Sequence, residues 1–437
     1  MHAVGRSLRS RNYRLFFAGQ SISLIGTWLT RVATAWLVYR LTHSALLLGV
    51  VGFAAQIPTF FLAPIAGVWV DRWDRHRVLV VTQVLAMIQS ALLAAFAITE
   101  TITVLDVAIL SAMQGIINAV DMPARQAFLV EMIEDRDDLP NAIALNSSMV
   151  NGARLVGPSL AGVLIAAVGE GWCFAIDAVS YLAVIASLLA MHVERRGHVR
   201  TTRRVLAQLY EGLAYVAGFA PIRAILLLLA FVSLMGMPYT VLMPVIASDV
   251  LHGDANTLGW LMAASGLGAL VGTLYLASRR SVVGLGRVNA IAAAVFGLGL
   301  VAFSRSRVLP LSLVLMLITG SAMMIQMAAS NTILQTIVDE DKRGRVMSFY
   351  AMAFFGTVPL GSLFAGALAE RIGAPDTILA GGVVCIIGAA VFMRELPELR
   401  RLVHPIYVRR GIVPATADAN GIVPADASPA EIAPVGP

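Results

Sequence analysis

Twelve apolar runs, each bounded by charged residues, proline or glycine, occupy most of the chain. A run of about 20 such residues spans the hydrocarbon core of a bilayer as a helix, which satisfies its own backbone hydrogen bonds in lipid. The sequence therefore predicts an all-α, polytopic membrane protein with twelve transmembrane helices. The runs lie near residues 16–39, 45–70, 77–98, 103–121, 140–168, 172–192, 222–248, 257–278, 286–304, 309–331, 346–369 and 376–393.

The composition agrees with a membrane protein and excludes most soluble classes. Of the 437 residues, 58% are hydrophobic and 13% are charged, and the mean hydropathy is +0.80. A typical soluble domain has about 25% charged residues. The net charge of +6 comes from basic residues scattered over many loops, which predicts contact with membrane lipid and no nucleic acid partner.

Lysine and arginine near helix ends mark the cytoplasmic side of a membrane protein. With a cytoplasmic N-terminus, 26 of the 32 basic residues fall in cytoplasmic segments. Four basic residues lie on the outer side: Arg40, Arg305, Arg307 and Arg371. The other two, Arg31 and Arg154, lie within predicted helices. We expect a multi-pass protein of the plasma (inner) membrane with both termini in the cytoplasm and an uncleaved first helix.

The basic segment 193–220 separates six predicted helices from six others, and we expect it to be a cytoplasmic linker with an amphipathic helix. The flanking halves, 1–192 and 221–397, share a repeat in which Leu129, Ile133, Glu134 and Asp135 recur 205 residues later as Leu334, Val338, Asp339 and Glu340. Two parallel six-helix pseudo-repeats are therefore predicted. Residues 398–437, rich in proline, alanine and glycine, are predicted to be a disordered cytoplasmic tail.

Residues for enzymatic or metal chemistry are scarce. Cys173 and Cys385 both lie in apolar runs, where a thiol is a small hydrophobic side chain, so we expect no cofactor and no metal. The only lysine, Lys342, is followed by arginine, which excludes the nucleotide-binding pattern GxxxxGK[ST]. No histidine is followed by an aspartate five residues later, and HExxH is absent. These patterns argue against an ATPase, an acyltransferase or any other enzyme.

A charged turn, Gly67-Val-Trp-Val-Asp71-Arg72-Trp-Asp-Arg75-His-Arg77, joins the second and third runs. Its glycine allows helix ends to approach, and Asp71 is suited to accept hydrogen bonds from the N-terminus of another helix. A chance basic loop is the alternative.

In the fifth run, Gly157-Pro158 and Gly162 permit close packing and bending, and Pro359 stands in a similar stretch of the eleventh run. These residues are either a hinge between the halves or ordinary tight packing.

The chain resembles the major facilitator superfamily, in particular the branch that includes the enterobactin exporter and macrolide efflux proteins. The similarity rests on the Asp71 turn, Pro123-Ala-Arg125-Gln126, Asn141-Ala-Ile-Ala-Leu-Asn146, Gly157-Pro158 and Arg343-Gly344-Arg345-Val-Met-Ser348. It implies a monomeric, proton-driven exporter of a small amphipathic molecule, such as a siderophore, a macrolide-like compound or another drug, working by alternating access. It also implies a cytoplasmic gate made of Gly67, Asp71, Arg72, Arg75, Arg77, Arg125, Arg343 and Arg345.

Polar side chains at membrane depth are candidates for the substrate cavity, because placing a central arginine there costs roughly 2.5–3.5 kcal/mol. Arg31, and Arg154 with Asn151 one turn earlier, are expected to line it. Gln326, Met323 and Met327 of the tenth run are added because flexible methionines accommodate bulky apolar ligands. The alternatives are a structural polar network for the arginines and core packing for the methionines.

Two aspartates are candidates for proton coupling. Many drug–proton antiporters of the superfamily carry an arginine where this chain has Ser111, so the proton carrier is sought among the acids. Asp121, four residues before Arg125, is the first choice, and we expect this pair to separate when the cytoplasmic side opens. Asp177 in the sixth run is the second. Uptake, a lipid-related transport activity, and a non-transporting receptor or scaffold remain the alternative functions.

Overall fold

The computed structural model describes residues 6–70, 72–133, 136–191, 205–279 and 281–414. Within them, twelve helices are long and apolar enough to cross a membrane, which confirms the predicted fold class. They are α1 (Arg11–Thr42), α2 (Ala45–Val70), α3 (Arg75–Ile98), α4 (Val104–Glu131), α5 (Leu139–Val168), α6 (Glu170–Leu189), α7 (Ala220–Val250), α8 (Ala255–Ser278), α9 (Leu285–Arg305), α10 (Leu309–Ile337), α11 (Glu340–Ile372) and α12 (Ala374–Arg409). Short 3-10 turns cover Arg6–Arg9 and Arg136–Asp138, and a further helix covers Val205–Gly218.

Local sequence signals fix several helix ends. Thr103 and Asp106 form a reciprocal capping box at the start of α4, and the side chain of Asp74 accepts a hydrogen bond from the backbone N–H of Arg77 at the start of α3. Gly169 between α5 and α6 and Gly373 between α11 and α12 have φ of 88° and 87°, a conformation that favours glycine. The same turn thus recurs at equivalent positions of the two halves.

Each group of six helices packs mainly on itself. In the first, α1 packs against α5 and α6, α2 against α4, and α3 against α6. In the second, α8 packs against α10, and α9 against α10 and α12. The two groups meet along two seams, α5 with α8 and α2 with α11. We name the face with the start of α1 and the end of α12 the near face, and the opposite face the far face.

Glycines allow the backbones to touch at both seams. A Cβ atom on Gly259 of α8 would lie 2.7 Å from the carbonyl oxygen of Pro158, and its closest other neighbours belong to Gly162. In the α2–α11 seam, a Cβ atom on Gly366 would lie 2.7 Å from the carbonyl oxygen of Ala45, beside Gly49. Small residues stabilise helix pairs in lipid by permitting this approach. The predicted packing surface of the fifth helix therefore faces α8.

The hydrogen bonds that join the two halves within the described residues all lie at the far face. Tyr39 of α1 donates its hydroxyl proton to Asp249 of α7. Glu370 of α11 accepts hydrogen bonds from the Ser44 hydroxyl at 3.0 Å and from the Leu46 backbone N–H at 3.1 Å. At the near face, Ser147 and Ser148 of α5 are exposed. The space between the halves is thus closed at the far face and open toward the near face.

Two predicted boundaries are wrong. The eleventh helix begins at Glu340 rather than near residue 346, because Arg343 and Arg345 continue the helix beyond the apolar run. The predicted tail, 398–437, begins too early, because α12 continues to Arg409 and buries Leu399 and Val403 against the second half. Residues 193–204 of the predicted linker and 415–437 of the predicted tail lie outside the described residues.

Candidate functional site

Arg31 lies on α1, where its guanidinium stacks over the ring of Trp28 at 4.7 Å from the ring centroid. Trp28 in turn packs against Gly157 of α5, where any side chain would overlap its Cβ atom. Arg31 is exposed, although it stands in the second half of a 32-residue membrane helix. The stack over Trp28 positions the guanidinium toward α5 and the space between the two halves.

Arg154 lies on α5, close enough to Arg31 for the two guanidiniums to repel each other. It also faces Tyr239 of α7, whose hydroxyl is 2.9 Å from that of Ser265 on α8. Among the residues that the structure describes, neither arginine has a hydrogen bond or an ion pair. Arg31, Arg154 and Tyr239 thus form a cationic site with members from both halves, and no carboxylate in the described part of the chain pairs with either arginine.

The other predicted cavity residues divide into two groups. Asn151 is half-buried on α5 and donates a hydrogen bond to the Ser147 carbonyl, so it extends the polar surface toward the near face. Met327 is half-buried, and its backbone carbonyl accepts a hydrogen bond from the Tyr350 hydroxyl. Met323 and Gln326, in contrast, are buried at 2% and 1% exposure in this conformation, and their place in the cavity stays a prediction. The face of α10 that carries them packs into the second half.

Asp177 of α6 is a buried carboxylate without a cationic partner. Its Oδ2 atom accepts hydrogen bonds from Thr30 of α1 at 2.7 Å and from Ser90 of α3 at 2.8 Å. Its Oδ1 atom is buried and has no hydrogen-bond partner in the described part of the chain. Because Thr30 precedes Arg31, this carboxylate is linked directly to the helix that carries the cationic site.

Asp121 of α4 has a very different environment. It is buried, forms an ion pair with Arg125, and accepts hydrogen bonds from Thr82 and Gln83 of α3 at 2.8 Å each. The Asp121–Arg125 pair is intact in this structure, and Thr82 and Gln83 add two further donors to the same carboxylate.

Besides Arg125, four of the predicted gate arginines form ion pairs within the described part of the chain. Asp71 lies outside the described residues, Arg72 is exposed, and Gly67 faces open space. The remaining arginines bind acids of their own half or of the 205–218 helix: Arg75 binds Glu131 at 2.5 Å, Arg77 binds Asp74 at 3.6 Å, Arg343 binds Glu340 at 3.7 Å and Arg345 binds Glu211 at 2.9 Å.

The far-face contacts were not found from the sequence. Tyr39, Asp249 and Glu370 each stand near the end of an apolar run, which is the one signal that the sequence offered. Charged and phenolic groups at run ends are common at membrane surfaces, so that signal did not distinguish a contact between the halves from an ordinary boundary residue.

We expect Glu370→Ala to loosen the far face, because Ser44 and the Leu46 N–H lose their acceptor. Because Glu370 is exposed, the fraction of molecules open at the far face should rise by about 2- to 10-fold, as for the loss of one solvent-exposed hydrogen bond worth about 0.5–1.5 kcal/mol. Electron spin-resonance distances between spin labels on the loops after α1 and α7 measure this. Asp376→Ala, which removes an exposed pair with Arg305 within one half, is the control. Equal distance distributions in both variants would contradict the role of Glu370.

Comparison with known proteins gives the family. Residues 6–404 match the family model described as a transmembrane secretion effector, of the major facilitator superfamily. The staphyloferrin A transporter of Staphylococcus aureus is 26% identical, with 89% of this chain and 97% of the relative covered. The multidrug efflux pump Tap of Mycolicibacterium fortuitum is 28% identical, with 86% of this chain and 93% of the relative covered. Macrolide efflux protein A of Streptococcus pyogenes is 24% identical, with 90% of this chain and 98% of the relative covered.

Solved structures agree on the fold. A bacterial homolog of the human lysosomal transporter Spinster aligns with a TM-score of 0.70 at 15% identity, covering 91% of this chain and 98% of its own. The nucleoside transporter NupG aligns with a TM-score of 0.64 at 15% identity, covering 89% of this chain and 99% of its own. The matched family and its relatives are transporters and not enzymes. The chain therefore belongs to the transmembrane secretion effector family of major facilitator transporters.

Proposed function

We propose that this transporter exports a small amphipathic molecule with an anionic group across the plasma membrane, driven by the proton gradient. The near face, with both chain ends, is assigned to the cytoplasm, because 26 of the 32 basic residues then lie on that side. The structure is accordingly an inward-open state, ready to take substrate from the cytoplasm. The protein works as a monomer, since one chain supplies both halves of the cavity.

The uncompensated pair of Arg31 and Arg154 is the observation that carries the proposal. Each arginine at membrane depth costs roughly 2.5–3.5 kcal/mol, and their mutual repulsion adds to that cost. No carboxylate of the described residues offsets it. An anionic substrate group, such as a carboxylate or a catecholate, supplies the missing partner and accepts paired hydrogen bonds from a guanidinium.

The surroundings of the arginines favour an amphipathic substrate. Trp28 presents aromatic surface beside the Arg31 guanidinium, and Met327 adds a flexible apolar side chain. Aromatic and methionine side chains accommodate bulky apolar groups of different shape. The names of the relatives, a siderophore transporter and two kinds of drug efflux pump, agree with a molecule of this type.

Alternating access requires the two seams to exchange their open and closed ends. The Gly259–Gly162 and Gly366–Gly49 contacts close the far face here, and Gly157 and Pro158 lie where α5 can bend. In the outward-open state, the far-face bonds of Tyr39 and Glu370 break. The near face then closes as Asp71 meets the start of α11, beside Arg345.

Asp177 is the better candidate for the proton carrier. It is buried, lacks a cation, and has one oxygen without a hydrogen bond, whereas Asp121 is paired with Arg125. Burial without a partner penalises the charged form of a carboxylate. A proton that enters from outside and binds the Asp177 carboxylate would change its contact with Thr30. The part of α1 that carries Arg31 would then shift, and the anionic substrate would be released.

Metabolite profiling of a deletion strain against an overexpressing strain tests the direction and the substrate class. We expect the deletion strain to accumulate an amphipathic compound with a carboxylate or catecholate, and the overexpressing strain to release it. A neutral or cationic compound would overturn the anionic assignment. Accumulation inside the overexpressing strain would indicate uptake, and no difference between the strains would favour a receptor or scaffold.

Asp71→Asn is expected to slow export without unfolding the protein. The carboxylate stabilises the closed near face through the dipole at the start of α11, a contribution of about 0.3–1 kcal/mol that corresponds to a roughly two- to fivefold population shift. Cysteine labelling at Ser147 reports the inward-open fraction, and a melting curve reports folding. Unchanged labelling and unchanged transport would contradict a gating role for Asp71.

A further inference from the structure

A polar cavity of about 440 Å³ lies at the near face, between the end of α10, the start of α11 and the end of α12. Its polar lining consists of Asn331, Thr332, Gln335, Thr336, Arg343 and Arg410. No carboxylate is among the lining residues that the structure describes. The volume falls within the range of small-molecule sites.

This cavity is separate from the cationic site between the halves. Its lining comes from the second half alone and from the chain just after α12, and it includes none of Arg31, Arg154 and Tyr239. Gln335 stands eight residues after Met327, which corresponds to about 12 Å along α10 toward the near face. A ligand in this cavity therefore does not occupy the proposed transport position.

The two arginines have unused donors. The Nε atom of Arg343 is buried and has no hydrogen-bond partner among the described residues, and the pair with Glu340 is long, at 3.7 Å. The Glu340 side chain is 89% exposed, so solvent screens that pair. Arg410 donates one hydrogen bond, to the Val338 carbonyl at 2.8 Å. Most guanidinium protons of the cavity thus remain available.

The other lining groups are uncharged and offer both donors and acceptors. The hydroxyls of Thr332 and Thr336 donate to carbonyls of their own helix and leave acceptor lone pairs free. The Gln335 amide donates to the Asn331 oxygen at 2.6 Å, which uses that acceptor and leaves the Asn331 N–H₂ group as a donor. The two guanidiniums carry the only formal charges among the lining residues that the structure describes, so the cavity favours an anion.

The depth of the cavity narrows the class of anion. It lies at the end of α10, the start of α11 and the end of α12, beyond the apolar stretches of these helices and on the face assigned to the cytoplasm. Basic pockets between helices at this level bind phosphate headgroups, and the guanidinium fork matches two phosphate oxygens. Arg343 lies on α11 and Arg410 directly follows α12, so a phosphate between them would connect α11 to the end of α12.

We propose that this cavity binds a phosphate group, from an anionic lipid headgroup or from a soluble phosphate compound. The bound group joins Arg343 and Arg410 and holds the segment after α12 against α10. Since Arg343 lies two residues before Arg345, at the start of the helix that the gate uses, occupancy stabilises the position of that helix end.

The test compares full-length protein in nanodiscs of phosphatidylcholine alone and of phosphatidylcholine with phosphatidylglycerol. Native mass spectrometry counts the retained lipids, and melting curves with added inorganic phosphate measure soluble binding. The first variant is the double substitution Arg343→Gln/Arg410→Gln. The second, Arg343→Lys/Arg410→Lys, keeps both positive charges and serves as the test if the glutamine variant does not fold. Arg409→Gln, exposed next to Arg410 but outside the lining, is the control.

We expect phosphatidylglycerol to be retained at least about 10-fold over phosphatidylcholine, or inorganic phosphate to raise the melting temperature. The first result assigns the lipid and the second the soluble source. In either case the effect should vanish in the double glutamine variant, weaken in the double lysine variant and persist in Arg409→Gln. Absence of both effects in the unmodified protein, or their persistence in the double glutamine variant, overturns the proposal. Neither readout depends on transport.

Discussion

Arg31→Ala and Arg154→Ala are each expected to weaken binding of the substrate identified by profiling by about 10- to 100-fold. The physical reason is the loss of charge-assisted hydrogen bonds to its anionic group, worth about 1.5–3 kcal/mol. Arg31→Lys should fall between alanine and the unmodified protein, because lysine keeps the charge and loses both the planar fork and the stack over Trp28. Equilibrium binding to purified protein in nanodiscs measures these effects.

Arg40→Ala is the matched control for the arginine variants. Arg40 lies on the same helix, nine residues after Arg31, and is paired with Glu170 at 2.8 Å at the far face. Its removal should leave the dissociation constant unchanged. If the double alanine variant of Arg31 and Arg154 binds as tightly as the unmodified protein, the two arginines have a structural role. The anionic substrate class would then lose its support.

Asp177→Asn is expected to abolish export against a gradient while leaving exchange of substrate across the membrane intact. Asparagine has the size of the protonated side chain and cannot release a proton, so the carrier is fixed in one state. The Thr30 and Ser90 hydroxyls retain an oxygen acceptor, so α1, α3 and α6 should stay packed. Counterflow and proton-driven uptake into inside-out vesicles measure exchange and uphill transport.

Asp121→Asn should produce a different result. Removing this carboxylate leaves Arg125 without its partner, and loss of one member of a partly buried pair chiefly destabilises the fold. A lower melting temperature with coupled transport retained in the folded fraction is expected. Uphill transport by Asp177→Asn would rule out Asp177, and its selective loss in a stable Asp121→Asn protein would return Asp121 to first place.

Several observations connect the proposed steps of the cycle. Thr30 binds the Asp177 carboxylate, and the next residue, Arg31, belongs to the cationic site. Trp28, which supports Arg31, packs against Gly157, beside the proline of α5. In the proposed cycle, a change at the carboxylate is transmitted through one helix to the substrate position and to the seam with α8. The proposed coupling then requires no contact between the proton and the substrate.

The sequence by itself determined the twelve membrane helices and the family. Apolar length is a local property, and a segment of that length has one stable form in lipid, so helix number followed without tertiary information. The charged turn and the Gly157-Pro158 pair gave the superfamily for the same reason, since they are short contiguous patterns. Helix ends were less certain because polar residues such as Arg343 extend a helix beyond the bilayer core.

Tertiary structure alone decided which polar groups act together. Thr30 and Asp177 are 147 residues apart, and Tyr39 and Asp249 are 210 residues apart, so no local pattern connects them. Met323 and Gln326 resembled cavity residues in the sequence, yet the rotation of α10 buries them. Asp121 and Asp177 also looked alike as acids within apolar runs. Their neighbours distinguish them, because the cost of a buried charge depends on the partners that adjacent helices supply.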